Sequence, residues 1–287
     1  MVNIAQKFTL QRSVAILRVN KEILNKFLYY YIQTSIFQNR LKSVVNQSAQ
    51  GGVYLNSLKK LKISVSNDLT EQRRISDFLD IIDSKIELLE KKNEEYQNFK
   101  KYLMQQIFAQ KLRFDNEEDW KTVKLGDICK IKTGKLDANA MVENGKYRFY
   151  TCAKEYYFID DYAYDTEALL ISGNGAHVGY IHYYKGKFNA YQRTYILDQF
   201  TENIKLIMYI LDKSLKKRIQ QEKNEGNTPY IKLSTLKDMK INLPQSKTEQ
   251  EKITSLFTDV NNKIDYINIE LKNMQNFKKG LLQQMFV

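Results

Sequence analysis

Two prolines and two cysteines are all that this 287-residue chain holds of either type. The scarcity of proline excludes proline-rich and collagen-like chains and leaves room for long, uninterrupted helices. Cys129 and Cys152 are too few for a disulfide framework or a four-cysteine zinc site. Set beside His177 and His182 they show no ligand spacing, so both read as core cysteines and no metal site is expected. No window approaches the roughly 18 uninterrupted apolar residues of a membrane span. The first twenty residues lack a charged n-region leading into an apolar h-region, so no signal peptide is expected. These absences predict a soluble protein of a reducing, cytoplasmic compartment.

What is present is globular: 43% hydrophobic and 27% charged residues, with a length that suggests about two domains. The formal net charge is +12, which favours an acidic partner such as nucleic acid. The excess is uneven. Residues 1–70 carry +8, 71–112 sum to zero, 113–243 carry +3 and 244–287 add +1. Twenty tyrosines interleave with Lys and Arg, and phenol rings can stack on bases or bond phosphates. Strand packing explains buried tyrosines equally well.

Internal self-similarity is the strongest signal. Residues 71–108 align without a gap on 249–286, with 14 identities in 38 positions. Glu71-Gln72 falls on Glu249-Gln250, and Gln97-Asn98-Phe99-Lys100-Lys101 on Gln275-Asn276-Phe277-Lys278-Lys279. Upstream, Leu55 and Leu58-Lys59 keep the same offset to Leu233 and Leu236-Lys237, and Gln11-Arg12 parallels Gln192-Arg193. Each copy ends in a heptad seam. The first runs Ile75, Leu79, Ile82, Ile86, Leu89, Asn93, Tyr96, Lys100, Leu103, Ile107; the second runs Ile253, Phe257, Val260, Ile264, Ile267, Leu271, Met274, Lys278, Leu281, Met285. Phe99 and Phe277 flank the seams. Steps of four and three over more than four heptads predict two related helices that pack against each other as a coiled coil, each a rod of roughly 60 Å. Asn93 aligns with Leu271 and is a candidate register-setting residue. A helical hairpin within an ordinary bundle is the alternative.

Between the seams, glycine-punctuated runs predict strands at Tyr147–Tyr150, Ala168–Ser172, Gly179–Tyr184 and Thr194–Leu197, a helix over Glu202–Glu222 and a strand at Ile231–Leu233. Residues 1–68 predict a strand at Ser13–Val19, a helix near Lys21–Val45 and a short strand at Leu61–Val65. The fold class expected is α/β (α+β): a β-rich domain followed by a long helix, duplicated, with the first copy incomplete.

Enzyme motifs are missing. Asn227-Thr228-Pro229-Tyr230 approaches the Asn-Pro-Pro-Tyr loop of adenine methyltransferases, but Thr228 replaces a proline and no glycine-rich cofactor motif precedes it. The run Gly173-Asn174-Gly175-Ala176-His177-Val178-Gly179 is not GxGxxG, and no GxxxxGK[ST] occurs, so neither a dinucleotide site nor ATP hydrolysis is expected.

The chain resembles the specificity subunit of type I restriction–modification systems. The resemblance rests on Trp120-x4-Leu125-Gly126-Asp127-Ile128, on Lys132-Thr133-Gly134-Lys135, and on Gly173-Asn174-Gly175 through Tyr191-Gln192-Arg193-Thr194. Leu243-Pro244 leading into Glu249-Gln250, and the closing Phe277-Lys278-Lys279-Gly280-Leu281 to Phe286, complete it. It covers nearly the whole chain. The resemblance implies a non-catalytic DNA-reading subunit. Two target-recognition domains each read half of a bipartite site, and antiparallel helices fix their spacing. It implies methyltransferase subunits that dock on those helices, hold S-adenosylmethionine and methylate adenine, with no cofactor in this chain. A motor–nuclease (restriction) subunit can join them.

The domains expected are a partial target-recognition domain (1–68), a coiled-coil helix (69–112), a complete target-recognition domain (113–248) and a second coiled-coil helix (249–287). The first copy lacks equivalents of Lys132–Lys135, Arg148–Lys154 and Gly173–Gly179; the expectation is that its missing half is supplied by a second chain or simply absent, with self-association as a further way to supply a second intact reader. The expected contacts to double-stranded DNA are Lys132, Thr133, Gly134, Lys135, Tyr150, Lys154, Asn174, Gly175 and His177, placed on projecting loops. The basic–aromatic stretch Tyr183, Tyr184, Lys185, Lys187, Tyr191, Gln192 and Arg193 joins them. The expected spacer and partner-binding residues are Ile75, Leu79, Ile82, Ile86, Leu89, Phe99, Ile253, Phe257, Val260, Ile264, Phe277 and Leu281. The competing reading is a coiled-coil scaffold whose recognition domains no longer read sequence.

Overall fold

The computed structural model describes residues 6–11, 13–45, 52–114, 118–222 and 230–286. Its helices are α1 (Asn25–Tyr31), α2 (Ser35–Ser43), α3 (Leu55–Lys59), α4 (Leu69–Phe108), α5 (Leu125–Ile128), α6 (Ile204–Gln221), α7 (Leu233–Lys237) and α8 (Lys247–Gln284). Its strands are β1 (Trp120–Lys124), β2 (Lys130–Thr133), β3 (Tyr147–Tyr150), β4 (Tyr157–Ile159), β5 (Tyr164–Ser172), β6 (Ile181–Ala190), β7 (Thr194–Asp198) and β8 (Lys240–Pro244). The chain divides into two compact units, Met1–Gln97 with Asn262–Val287, and Asn98–Asn261. Among the described residues, no helix is long and apolar enough to cross a membrane.

In the first unit the two long helices run antiparallel. Asp83 pairs with Lys278 at 2.6 Å, Lys85 with Glu270 at 3.3 Å, and the Asn93 amide donates to Asn268 Oδ1 at 3.0 Å. All ten seam positions of each helix are buried or half-buried, which is what a heptad stripe requires when it faces a partner. A small core of Phe27, Tyr30, Tyr31, Phe37, Leu79, Leu282 and Phe286 seats α1 and α2 on this pair.

The expected helix over Lys21–Val45 is two helices, α1 and α2. Thr34 interrupts it, because its hydroxyl donates to Tyr31 O and accepts from Phe37 N, capping α2. The strands expected at Ser13–Val19 and Leu61–Val65 are absent, since among the described residues nothing pairs with them and a lone strand leaves its backbone groups unsatisfied.

The second unit is β-rich. Its six-stranded sheet has the order β2-β7-β5-β6-β3-β4, antiparallel except for the parallel β3–β6 pair. β5 and β7 are its centre: Ala168–Ile171 and Thr194–Asp198 are buried. β1 pairs antiparallel with β8 in a separate two-stranded sheet, from Trp120 opposite Pro244 to Lys124 opposite Lys240. α6 starts one residue after the Asn203 cap and buries Leu206, Ile207, Tyr209, Ile210, Leu211, Leu215 and Ile219, close to the expected Glu202–Glu222. Ile231–Leu233 is not a strand. Lys232 instead caps α7, whose third residue, Thr235, reaches back to the Lys232 N–H.

Here too the long helices meet along the seam. Phe257 stacks on Phe108 with ring centroids 5.8 Å apart, and Tyr209 lies 4.9 Å from Phe257. The start of α8 is fixed by two buried side chains. Glu249 binds Arg113, the Trp120 indole and the Phe114 N–H; Gln250 donates to Pro244 O and Glu202 and accepts from the Asn203 N–H. Near the start of α4, Gln72 repeats the second clamp: it donates to Ser66 O and Glu22 O and accepts from the Leu24 N–H.

Candidate nucleic-acid interface

The six-stranded sheet curls until its far parts touch. β6 pairs with β5 along its first eight residues and with β3 along its last three, and Gly186 within it adopts a φ of +135°. Leu136 then bridges Tyr191, the Tyr191 N–H donates to Tyr150 O, and the Gly134 N–H donates to Thr194 O. Two glycines permit this closeness. A Cβ on Gly134 would lie 2.1 Å from Ala190 O, and one on Gly173 would lie 2.2 Å from Arg193 O.

The closure brings the ends of β2, β5 and β6 around one cleft of about 240 Å³, lined by Thr133, Gly173, Asn174, Gln192, Arg193, Tyr195, Tyr230 and Ile231. Asn174 bridges Tyr230, and Gln192 is oriented by donating to Asp137 at 2.7 Å. Arg193 is exposed and has no acidic partner among the described residues. Cys152 lies against it, its thiol donating to Arg193 O at 3.4 Å. Lys135 and Lys154 are exposed on neighbouring loops, and His177 is exposed in the turn where Gly175 takes a φ of +80°. This rim offers cations, amides and open backbone, the groups that bond phosphates and base edges.

The other expected contacts fall elsewhere. Lys132 is held in the sheet, paired with the buried Asp198 at 2.6 Å and lying 5.0 Å above the Tyr164 ring. Tyr150 is 1% exposed and packs on His182 and Phe188, so its expected place on a projecting loop is corrected: it ends β3 inside the core. Tyr183, Tyr184, Lys185 and Lys187 lie along β6, away from the cleft lining. Tyr183 donates to Glu167, and burial followed by that bond pushes its phenol up to about 12. Lys185 also reaches Glu167, at 3.8 Å, while Lys187 sits over the Tyr162 ring. Asn227, Thr228 and Pro229 lie outside the described residues, as does Arg12.

Arg148 was not singled out by the sequence. Its guanidinium lies 4.2 Å from the Tyr156 ring and 4.5 Å from that of Tyr184, with the Tyr150 hydroxyl 3.4 Å away. The Tyr184 ring comes from β6, which pairs with β3, and the Tyr156 ring from the loop after β3, so no local spacing announces them.

A curled β-rich domain presenting a polar, cationic cleft and followed by a long seam-forming helix defines a mixed α/β recognition module on a helical arm. The chain belongs to the family of type I restriction modification DNA specificity domains, whose model matches residues 1–98 and 117–274. It is 42% identical over 147 residues to the type I restriction enzyme EcoDI specificity subunit of Escherichia coli, a stretch covering 50% of this chain and 32% of that subunit. It is 23% identical over 297 residues to the MjaIX specificity subunit of Methanocaldococcus jannaschii, covering 92% of this chain and 68% of that one. The crystal structure of a type I restriction–modification S subunit from M. genitalium shares the fold, with a TM-score of 0.70 at 20% identity, over 94% of this chain and 74% of that one. The chain thus spans about a third of the E. coli subunit and more than two thirds of the archaeal one.

Proposed function

We propose that this chain is the non-catalytic, sequence-reading subunit that directs an adenine methyltransferase, and a motor–nuclease subunit, to a bipartite DNA target. Family membership supports DNA recognition, and the observation that carries the reading to particular residues is the cleft where Thr133, Asn174, Gln192 and Arg193 converge. Asn174 and Gln192 supply amides suited to adenine edges, and Arg193 suits guanine or phosphate. Lys135, Lys154, Gly175, His177 and Tyr191 complete the rim. S-adenosylmethionine belongs to the methyltransferase.

In this reading residues 113–248 are the complete recognition domain and 1–68 a partial one, each followed by its helix, 69–112 or 249–287. The helices separate two half-sites and carry the methyltransferase subunits. The assembly works in the cytoplasm. Binding of the assembled complex to a randomised duplex pool tests it. Selection of a recurring sequence, lost in Asn174→Ala and Arg193→Ala, is expected, with affinity falling steeply as salt rises. Uniform, salt-dependent binding without base preference would favour the scaffold reading.

A further inference from the structure

Loop 151–156, between β3 and β4, is tied at both ends and free at its tip. Tyr150 O, at the end of β3, accepts from the Tyr191 N–H at 2.9 Å and from the Thr194 hydroxyl at 3.3 Å. Thr151 Oγ1 accepts from the Ala153 N–H at 3.3 Å, and the Cys152 thiol donates to Arg193 O at 3.4 Å. His182 Nε2 lies 3.1 Å from Ala153 O; a carbonyl only accepts, so that nitrogen carries the proton. Lys154 and Glu155 follow, exposed and with no hydrogen bond or ion pair among the described residues.

Arg148 secures the far end of the loop. Its guanidinium lies over two rings, 4.2 Å from Tyr156 and 4.5 Å from Tyr184. No carboxylate pairs with it among the described residues, and the Tyr150 hydroxyl is 3.4 Å from it. Tyr184 is fixed in β6 opposite Ala168, whereas Tyr156 belongs to the loop and is exposed. Arg148 thus joins a ring of the sheet to a ring of the loop. A planar guanidinium can stack on both at once, which the point charge of a lysine cannot reproduce.

The effect is felt at the cleft. Cys152 abuts Arg193, which lines that cleft, and Lys154 lies two residues further on. A loop held in one conformation before binding avoids the ordering cost that a free loop meets on contact with a duplex. It also places its cation at one point along the site.

We infer that Arg148 is a positioning residue for sequence reading: stacked on Tyr156 and Tyr184, it holds loop 151–156 against the cleft and presents Lys154 to one guanine edge of the target. This inference rests on the proposed reading of the cleft as the sequence-reading surface. Arg148 acts through the loop, and Lys154 makes the contact.

Two readouts test it. In the full chain without DNA, a disulfide reagent should modify Cys152 about tenfold faster in Tyr156→Ala and in Arg148→Lys than in the parent, with Tyr156→Phe within about twofold of it. Cys129 stays unmodified throughout, which certifies a folded domain. In the assembled complex, Tyr156→Ala should lower discrimination about tenfold at one guanine position of the selected sequence, the position that Lys154→Ala relaxes. It should add nothing in the Lys154→Ala background.

A Cys152 rate unchanged in Tyr156→Ala overturns the inference whatever the complex binds. So does joint exposure of Cys129 and Cys152, which would make the stack a general support of the domain. Discrimination lost evenly along the site overturns it as well. If the parent complex selects a sequence and Tyr156→Ala selects it equally well, the inference falls and the reading of the cleft stands. If the parent complex selects none, that reading falls and the inference with it.

Discussion

Arg113 grips the buried carboxylate of Glu249 with two guanidinium nitrogens, Nε at 2.8 Å and Nη2 at 3.0 Å. The first turn of α8 is thereby tied to the chain just before β1. Arg113→Ala leaves a buried carboxylate short of its cation and should cost about 3 kcal/mol. Urea unfolding of the variant measures this; a loss within about 0.5 kcal/mol would mean that Trp120 and Phe114 hold Glu249 unaided.

Acid stability should report Glu202. Burial is the largest influence on this carboxyl and pushes its pKa up, but hydrogen bonds from Lys121, Lys247 and Gln250 together outweigh it and hold the group at about 2. A folded value below the ordinary 4.5 means that the carboxylate stabilises the fold above about 4.5, and that this contribution is lost as pH falls toward 2. Glu202→Gln should lower stability at pH 7 by about 1–2 kcal/mol and flatten the decline between those limits. Parallel acid-dependence curves for the two proteins would refute it.

The two thiols should differ in reactivity. Burial, reinforced by the Asp198 carboxylate, pushes the Cys129 thiol up to about 12, so it stays protonated and inert at neutral pH. Cys152 is half-buried beside Arg193. A disulfide reagent should modify Cys152 alone in the native chain and both thiols after denaturation. Cognate DNA should slow the Cys152 reaction, since that thiol borders the cleft.

Asn93 occupies a seam position where the other copy has Leu271, and its Oδ1 is buried without a partner among the described residues. Asn93→Leu should raise stability by about 1 kcal/mol in thermal unfolding while removing the polar pair with Asn268 that favours one register. Destabilisation would show that this pair contributes more than the apolar contact replacing it.

Much of this fold could be read from local pattern, and the exceptions share a cause. The seams of α4 and α8 were legible because a heptad stripe is periodic along the chain, and α6 fell within the expected Glu202–Glu222. β1, α5 and β8 carried no such period; they exist through pairing across more than a hundred residues, as Trp120 opposite Pro244 shows. Ser13–Val19 and Leu61–Val65 have strand-forming residues but nothing to pair with among the described residues. The cleft was half legible: Thr133 and Asn174 were expected on projecting loops, and Gln192 and Arg193 stood in the basic–aromatic stretch. Tyr150 was misplaced because a tyrosine at a strand end reads the same whether it points inward or outward. The Arg148 box was invisible because its rings come from β3, the loop after it and β6.

Genome-wide mapping of methylated adenines in cells carrying this chain with the proposed methyltransferase partner tests the central claim most directly. Methylation confined to one recurring bipartite sequence, and erased by the Asn174→Ala and Arg193→Ala pair while the complex still assembles, is the expected result. Methylation that is absent despite assembly, or unchanged when this chain is removed, would contradict it.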